Sequence, residues 1–293
     1  MHVEIDIITL PTAGSGQLRV RRHLAMKAQG IVQINHDLAE HAGRYDVFAQ
    51  HLARRGFHVY APDHRGHGGL AAIDADLFDL HELIAREHPG LPVIVFGQGA
   101  GALIAAHFLF GHAPRLAGAA LWNMPVATDY AARFLGAMLR WERFRLGSDV
   151  PSPTMTRIVR GWSRSVGNNR TGIDWLSEDF AVVDAYMADP DCGRDPTIGA
   201  WIDTMRMMRH AGSKRAWAGL PRDLPLHIAA GGDDPVTDKG RMVQHLKRRL
   251  AGLGFEQVTG RHHERLRHDL VNGVSREPVW RDFADWADAA ILR

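Results

Sequence analysis

The chain has 293 residues, 45% hydrophobic and 23% charged, with a formal net charge of +2, which is ordinary for a soluble globular protein and argues against nucleic-acid binding. No apolar run reaches the ~20 residues of a membrane span, and the first ten residues carry acids where a secretory signal would be basic. The single cysteine, Cys192, excludes an internal disulfide and fits a reducing compartment, so we predict a cytoplasmic protein.

The first third of the chain alternates strand and helix patterns. The alternating segments VEIDIITL and LRVRRHLA predict an antiparallel hairpin. Next come a buried strand (GIVQIN), a helix from Tyr45 to Arg55 closed by Gly56, a strand (FHVYAPD) and an amphipathic helix (DADLFDLHELIAREH). A further strand (VIVFG), a helix (GALIAAHFLFGH) and a strand (LAGAALWN) follow. Such alternation predicts an α/β fold with a mostly parallel sheet flanked by helices.

The alternation stops in the middle of the chain and then resumes. Residues 124–222 show no buried strand, so we predict a helical lid there, inserted into a core formed by residues 1–123 and 223–293. After it we predict two strands (LPLHIAAGG and FEQVTG) and two helices (DKGRMVQHLKRRLAGLG and REPVWRDFADWADAAIL). Five tryptophans of the insertion either line a ligand pocket or form the lobe's own core: Trp141, Trp162, Trp175, Trp201 and Trp217.

A glycine-rich elbow follows the strand VIVFG, within the segment VIVFGQGAGALIAAHFLFGH from Val93 to His112. A sharp strand-to-helix turn of this kind usually carries a nucleophilic serine at its tip. Here the tip is Gly99, which has no hydroxyl, and no Cys or Asp stands in for it in the motif. Glycine adopts the positive φ of such a tip readily, whereas other residues there cost roughly 1–3 kcal/mol.

Four motifs, in family order, resemble the monoacylglycerol lipase/lysophospholipase group of α/β-hydrolases, which is serine aminopeptidase-like. The segment INHDLAEHAGRYDVFAQHLARRGFHVYAPDHRGHG (Ile34 to Gly68) is similar to H-G-x-x-E-H followed by P-D-H-R-G-H-G. The elbow comes next. GGDDPVTDKG then resembles the G-x-x-D-P-V loop, and RHDLVN resembles the R-H-E-x-x-N loop. The resemblance spans nearly the whole chain and implies an α/β-hydrolase fold.

The resemblance also implies roles for individual residues. Asp234 lies at the family's triad carboxylate and His268 at its general base, and both follow predicted strands. The backbone N–H groups of Leu38 and Ala100 correspond to the oxyanion hole, and Gly99 is the vacant nucleophile position. The residues Asp63, Arg65 and His67 match a segment that shapes a turn beside the site.

Several residues depart from the family pattern together. Asp37 stands where the family has glycine; it either lies near the oxyanion hole, where it opposes negative charge, or turns toward solvent. Gln98 and Ala100 flank the vacant tip, the loop before the next helix is short, and Asp269 and Gly273 replace two glutamates. Joint deviation favours natural drift over a deliberate inactivating substitution. On sequence grounds, Gly99→Ser tests whether the rest of the site is still assembled.

Besides a slow hydrolase of monoacylglycerols, lysophospholipids or small esters, in which His268 activates water directly, three functions remain open from the sequence. The first is a pseudoenzyme of carboxylic-ester hydrolase ancestry that binds a small apolar or acyl ligand under the lid. The second is a serine-independent enzyme with His268, Asp234 and possibly Asp37 as acid/base groups. The third is a protein-interaction module, although no extended exposed apolar stripe stands out in the sequence. Contact of the lid with a lipid surface is a further expectation.

No cofactor or metal is predicted. The cluster RHHERLRHD, with His262, His263 and His268, matches no familiar zinc spacing, and histidines on a polar loop are the simpler interpretation. Cys192 is predicted to be a buried small residue, because nothing near it in the sequence lowers its pKa.

Overall fold

A twisted eight-stranded sheet forms the centre of the computed structural model, which describes residues 5–13, 16–64, 69–127, 130–167 and 169–292. Its strand order is β1-β2-β4-β3-β5-β6-β7-β9, antiparallel at β1/β2 and β2/β4 and parallel elsewhere. The strands, including the separate parallel pair β8/β10, are β1 Ile5–Thr12, β2 Gly16–His23, β3 Gly30–Asn35, β4 Phe57–Pro62, β5 Val93–Gln98, β6 Gly118–Trp122, β7 Leu226–His227, β8 Ala230–Gly231, β9 Val258–Thr259 and β10 His262–His263.

Helices cover both faces of this sheet. They are α1 Asp46–Arg54, α2 Gly69–Glu87, α3 Ala100–His112, α4 Tyr130–Leu146, α5 Pro153–Arg164, α6 Phe180–Ala188, α7 Ile198–Ala211, α8 Lys214–Ala218, α9 Arg241–Gly252 and α10 Arg276–Ile291. Within the described ranges, none of them is both long and apolar enough to cross a membrane. The predicted opening hairpin and the mostly parallel sheet flanked by helices are confirmed.

Two hydrophobic cores lie on opposite faces of the sheet because successive strand residues point to opposite sides. Ile31 and Val95 pack with side chains of α2, α3 and α9, whereas Val32 and Ile94 pack with side chains of α1 and α10. Helix α3 is buried on nearly every face because it lies between the sheet and α7, which explains its continuous apolar sequence.

The carboxyl-terminal strands differ from the sequence-based prediction. The segment LPLHIAAGG forms two short strands, β7 and β8, instead of one, and FEQVTG is a strand only over Val258–Thr259. The residues His262–His263, predicted as a polar loop, form β10 and pair with β8. Strands of two residues carry too short an apolar pattern to be read from sequence, and their pairing depends on distant backbone.

The part of residues 124–222 that the structure describes holds α4–α8 and no strand beyond a single bridge between Pro151 and Thr197. Four of these helices begin at side-chain caps: Ser152, Asp179, Thr197 and Ser213 accept hydrogen bonds from the first-turn N–H groups of α5, α6, α7 and α8. Local capping therefore defines where helices start in this region. Its division from the core at residues 123 and 223 stays a prediction.

Candidate functional site

The elbow between β5 and α3 is a sharp turn at the carboxyl edge of the sheet, with one residue between the strand and the helix. Gly99 lies at its tip with φ 58° and ψ −123°, a backbone conformation that L side chains rarely adopt. A Cβ atom at Gly97 would overlap the backbone carbonyl of Gly101, and one at Gly101 would overlap the carbonyl of Asn35. The outer two glycines thus permit the close approach of helix and strands that the sequence analysis expected.

Asp37, in the loop after β3, points into the site rather than toward solvent. Its Oδ1 accepts hydrogen bonds from the backbone N–H groups of Leu38 (2.7 Å) and Ala100 (2.6 Å). These are the two N–H groups that the resemblance associates with an oxyanion hole. One side-chain oxygen of the protein itself therefore occupies the position between them, and the Asp37 side chain is only 12% exposed.

His268 lies between two carboxylates. Its Nε2 is 2.7 Å from Asp37 Oδ2, and its Nδ1 is 3.0 Å from Asp234 Oδ1. Asp234 is fully buried and also accepts hydrogen bonds from the N–H of Val236 (3.0 Å) and the hydroxyl of Thr237 (2.6 Å). The fold thus assembles an array of Asp234, His268 and Asp37 from three separate loops.

The two carboxylates keep a proton on His268. Burial by itself lowers the pKa of this imidazole, but the negative charges of Asp234 and Asp37 outweigh it and raise the pKa of His268 well above its usual value. The resting array is therefore an imidazolium between two anions. The folded-state pKa exceeds the unfolded one of about 6.5, so this stabilisation is complete below that pH and is lost as pH rises through the folded-state pKa.

Replacement of Asp37 by asparagine is expected to lower the pKa of His268, because one of its two negative neighbours disappears while the side-chain volume is kept. The imidazole nitrogen shifts, followed by NMR across a pH titration, measure this directly. The matched control is Asp233→Asn, since Asp233 is exposed and adjacent to Asp234. Equal His268 pKa values in the Asp37→Asn variant and the unaltered chain would contradict the assignment of the array.

Asp37 and Gly99 compete for the same space. A Cβ atom built at Gly99 would lie far inside van der Waals contact of the Asp37 carboxylate. The elbow motif itself holds no Cys or Asp, but the carboxylate of Asp37, from a different strand end, fills the space in front of the elbow. No local pattern around Gly99 reveals it, since the two residues come from β3 and β5 ends.

A buried network holds the loop that carries Asp37. The N–H of Asp37 donates to Glu40 Oε1 (2.8 Å), which also accepts from the hydroxyl of Tyr45 (2.7 Å), while Arg44 Nε donates to Glu40 Oε2 (2.9 Å). Burial raises the pKa of Glu40 to about 7, against the opposing effect of Arg44. These contacts hold the backbone of the loop in place through Glu40 and leave the Asp37 carboxylate little freedom to turn toward solvent.

Two residues that depart from the family pattern contact each other. Gln98 Nε2 donates to Asp269 Oδ1 (3.2 Å), and Gln98 Oε1 accepts from the N–H of Leu270 (3.0 Å). Asp269 also accepts from Arg44 Nη2 at 2.6 Å. The elbow, the His268 loop and the Asp37 loop are thus joined by one set of hydrogen bonds, so the deviations at Asp37, Gln98, Ala100 and Asp269 belong to one connected structural feature.

Asn123, just after β6, anchors the His268 loop and was missed by the sequence analysis. It has a positive φ of 44°, which asparagine tolerates better than most residues. Its Nδ2 donates to the carbonyl of His268 (2.7 Å), and its Oδ1 accepts from the N–H of Gly231 (2.8 Å). An asparagine at a strand end is the only local signal of this role.

Arg267, in the RHD motif, ties the core to the helical region. Its Nη1 donates to the carbonyls of Asp174 (2.6 Å) and Ser177 (3.1 Å), and its Nη2 donates to that of Gly167 (2.7 Å). Guanidinium groups suit such multiple carbonyl contacts because their donors form a rigid fork. The residue next to His268 thereby holds the helical region over the site.

A cavity of about 600 Å³ opens beside the array and is lined by Asp37, Gly99 and His268. Trp162, Trp175 and Trp201 also line it, as the pocket interpretation of the tryptophans expected. Its other walls are mostly apolar and come largely from the helical region, with Leu135, Met155, Ile158, Val159, Met205 and Met208 among them. The site therefore combines the charged array with a mostly apolar chamber, whose lining also includes Arg160, Arg194 and Asp195.

The other two tryptophans lie elsewhere. Trp217 is fully buried in the core, where its ring meets those of Phe110 and Phe255. Trp141 lies on α4 and is 59% exposed, stacked on the exposed ring of Phe144. With Tyr130 and Phe134 these residues form an exposed aromatic surface on α4 that the sequence analysis did not find. Contact of this region with a lipid surface stays a prediction.

Metal-ligating side chains meet away from the array. In the described part of the chain, His41, Asp189 and Cys192 place one ligand atom each within 4.8 Å of one another. Burial raises the pKa of the Cys192 thiol to about 12, so it remains protonated and is a poor ligand. The cluster of histidines in the sequence is divided, since His262 lies on β10 and His268 in the array.

The DHRGHG segment is only partly described. Asp63 Oδ1 accepts a hydrogen bond from the N–H of Ala42 (2.8 Å), which braces the start of the loop after β3. Arg65 and His67 lie outside the described residues. Asp63 therefore stabilises a turn beside the site, as the sequence analysis expected.

Comparison with known proteins gives two matches over most of the chain and one over about a quarter of it. The family described as serine aminopeptidase, S33 matches residues 26–274. A monoacylglycerol lipase from Mycolicibacterium smegmatis is 29% identical over 281 residues, which cover 88% of this chain and 88% of that protein. A monoglyceride lipase from Homo sapiens is 30% identical over 87 residues, or 26% of this chain and 29% of that one.

Solved structures agree on the fold. A thermostable carboxyl esterase from Bacillus coagulans, in complex with glycerol, aligns with a TM-score of 0.88 and 22% identity over 99% of this chain and 100% of that chain. A monoacylglycerol lipase from Paleococcus ferrophilus aligns with a TM-score of 0.69 and 18% identity over 98% and 99% of the two chains. At these identities the likeness shows an α/β-hydrolase fold.

Proposed function

Because the chain belongs to the serine aminopeptidase family of α/β-hydrolases, we propose that it is a member in which glycine replaces the nucleophilic serine and which binds a small, neutral, apolar ligand in its cavity. In this proposal esters are not hydrolysed through a serine acyl-enzyme. Ancestry among ester hydrolases supplies the chamber, while its chemistry depends on the groups that now line it.

The observation that carries the proposal is the position of the Asp37 carboxylate. Acyl-enzyme chemistry needs an attacking oxygen at the elbow and two free N–H groups for the oxyanion. Gly99 has no side-chain oxygen, and the N–H groups of Leu38 and Ala100 already donate to Asp37 Oδ1. A substrate carbonyl has neither an attacking group nor a place for its developing charge.

The same contacts select the charge of the ligand. A fatty-acid anion in the chamber would bring its carboxylate toward Asp37, whose oxygen already takes the two available backbone donors. A neutral head group avoids that repulsion, and the apolar walls accept an alkyl or aromatic tail. A monoacylglycerol, a long-chain alcohol or another neutral amphiphile has this chemistry.

Neutral apolar ligands are expected to raise the thermal unfolding midpoint, because a ligand bound only by the folded state stabilises it by about 2.7 kcal/mol at 100 times its Kd. The measurement compares decanol and monodecanoylglycerol with decanoate at equal concentrations. Decanoate is expected to give a much smaller shift. A fluorophosphonate probe is expected to leave the chain unlabelled.

The location of binding is tested by a substitution that fills the chamber. Val159 lines the cavity, whereas Val274 is exposed elsewhere. Val159→Trp is expected to abolish the shift from decanol, and the matched control Val274→Trp is expected to keep it. No shift with any of the neutral ligands, or an equal shift in the two variants, would contradict the proposal.

A second candidate function is a serine-independent enzyme, and the observation that favours it is the array itself. His268 is protonated between the carboxylates of Asp234 and Asp37. Each of these two carboxylates accepts several hydrogen bonds. Such an arrangement exceeds what a passive ligand pocket requires.

A further inference from the structure

We infer that the Asp37 carboxylate is a nucleophile and that the site opens neutral apolar epoxides to diols through a covalent ester on Asp37. The inference rests on the ligand-binding cavity proposed above. It assigns a chemical role to a side chain that replaces the glycine of the H-G motif and takes up the space in front of the elbow.

The two oxygens of Asp37 have different surroundings. Oδ1 is held by the N–H groups of Leu38 and Ala100, and Oδ2 lies 2.7 Å from His268 Nε2 beside the cavity. Aspartate carboxylates act as nucleophiles that form covalent esters with substrates. In such an ester Oδ1 becomes the carbonyl oxygen, and it already occupies the place where two donors stabilise a tetrahedral oxyanion.

The first step is a displacement at carbon. Oδ2 attacks one epoxide carbon, the new O–C bond forms, and the C–O bond of the strained ring breaks with its electron pair going to the departing oxygen. That alkoxide takes the proton of His268 Nε2. The products of the step are a hydroxyalkyl ester of Asp37 and a neutral His268, whose Nδ1 is still held by Asp234.

The second step is hydrolysis of that ester. Neutral His268 takes a proton from water, and the hydroxide attacks Cγ of Asp37 to give a tetrahedral oxyanion on Oδ1 between the two N–H groups. Collapse breaks the bond between Cγ and the ester oxygen. The departing alkoxide takes the proton of the hydroxyl that water left on Cγ, and the diol is released. Asp37 is again a carboxylate and His268 an imidazolium, so epoxide and water are the only net reactants.

The proton on His268 is what favours an epoxide over other electrophiles. An alkyl halide needs no proton to leave, so it would leave His268 charged and unable to activate water. An epoxide removes that proton in the first step and so prepares the base for the second. An ester substrate is not expected to react, because the two backbone N–H groups that would stabilise its tetrahedral oxyanion already donate to Asp37.

The test uses styrene oxide and decene oxide with the full chain. With protein in excess in heavy-oxygen water, one turnover is expected to place the label in Asp37, found by peptide mass spectrometry, and to release an unlabelled diol. His268→Gln lacks both the acid of the first step and the base of the second, so ring opening is expected to be slow and any ester that forms on Asp37 is expected to persist as a covalent adduct. Asp37→Asn is the isosteric control and is expected to form neither adduct nor diol.

The outcomes separate this inference from the binding proposal. Label found only in the diol shows direct attack by water and overturns the nucleophile. If neither epoxide gives an adduct or a diol while decanol still raises the unfolding midpoint, the role of Asp37 as a nucleophile is overturned. The binding proposal is then unaffected. Labelling of Asp37 without any stabilisation by decanol or monodecanoylglycerol sustains the nucleophile and overturns the binding proposal. The wild-type isotope measurement does not depend on the folding of His268→Gln.

Discussion

The double variant Asp37→Gly/Gly99→Ser is expected to gain hydrolysis of p-nitrophenyl esters, on the order of 10³-fold or more above Gly99→Ser alone. The single variant is expected to stay inactive because its Cβ atom overlaps the Asp37 carboxylate. Removing both obstacles restores a hydroxyl at the elbow and frees two backbone donors for the oxyanion. The measurement is the initial rate of ester hydrolysis, with the protein-free rate subtracted.

The rest of the serine machinery remains in place in the double variant. His268 keeps its 3.0 Å contact with Asp234, and loss of Asp37 frees Nε2 to accept a proton from the new hydroxyl. With Asp37 gone, one of the two charges that raise the pKa of His268 is removed, so the imidazole loses its proton more readily and becomes available as a base.

A matched control separates the effect of the new hydroxyl from the effect of removing the Asp37 side chain. Asp37→Gly/Gly99→Ala has nearly the same volume but no hydroxyl, and it is expected to remain inactive. Gly99→Ser alone is also expected to lower the free energy of unfolding, since the overlap with Asp37 adds to the cost of a positive φ of 58°. Equal esterase activity in the single and double variants would show that Asp37 does not block the site.

The second large effect is on stability. Asp234→Ala is expected to lower the free energy of unfolding by about 3–5 kcal/mol at pH 6. The substitution removes the carboxylate that pairs with the buried imidazolium of His268. It also leaves the hydroxyl of Thr237 and the N–H of Val236 without their acceptor. Urea denaturation of the variant and the unaltered chain measures the difference.

The pH dependence gives this prediction a sign. His268 has a raised pKa in the fold, so its charge contributes stability fully below about pH 6.5 and loses that contribution as pH rises through the folded-state pKa. The cost of Asp234→Ala is therefore expected to shrink in alkaline buffer. The control Asp233→Ala, at the exposed neighbour, is expected to stay within about 0.5 kcal/mol. A cost independent of pH would rule out an imidazolium at His268.

The fold was predictable from the sequence because its signals are local or ordered along the chain. Alternating apolar residues gave the β1–β2 hairpin, continuous apolar runs gave the buried parallel strands, and helical periodicity between them gave the flanking helices. Strands were predicted where β7, β8 and β9 lie, but their bounds and the whole of β10 escaped prediction because two residues carry no period.

For the site, the resemblance of the motifs to the family indicated which loops carry Asp234, His268 and Gly99, and each of these follows a predicted strand. The direction of the Asp37 side chain was left open by the sequence, and only the tertiary structure decided it. Two backbone donors, one of them 63 positions further along the chain, and the imidazolium of His268 draw the carboxylate inward. Those attractions come from residues far apart in sequence, and no local pattern encodes their meeting in space.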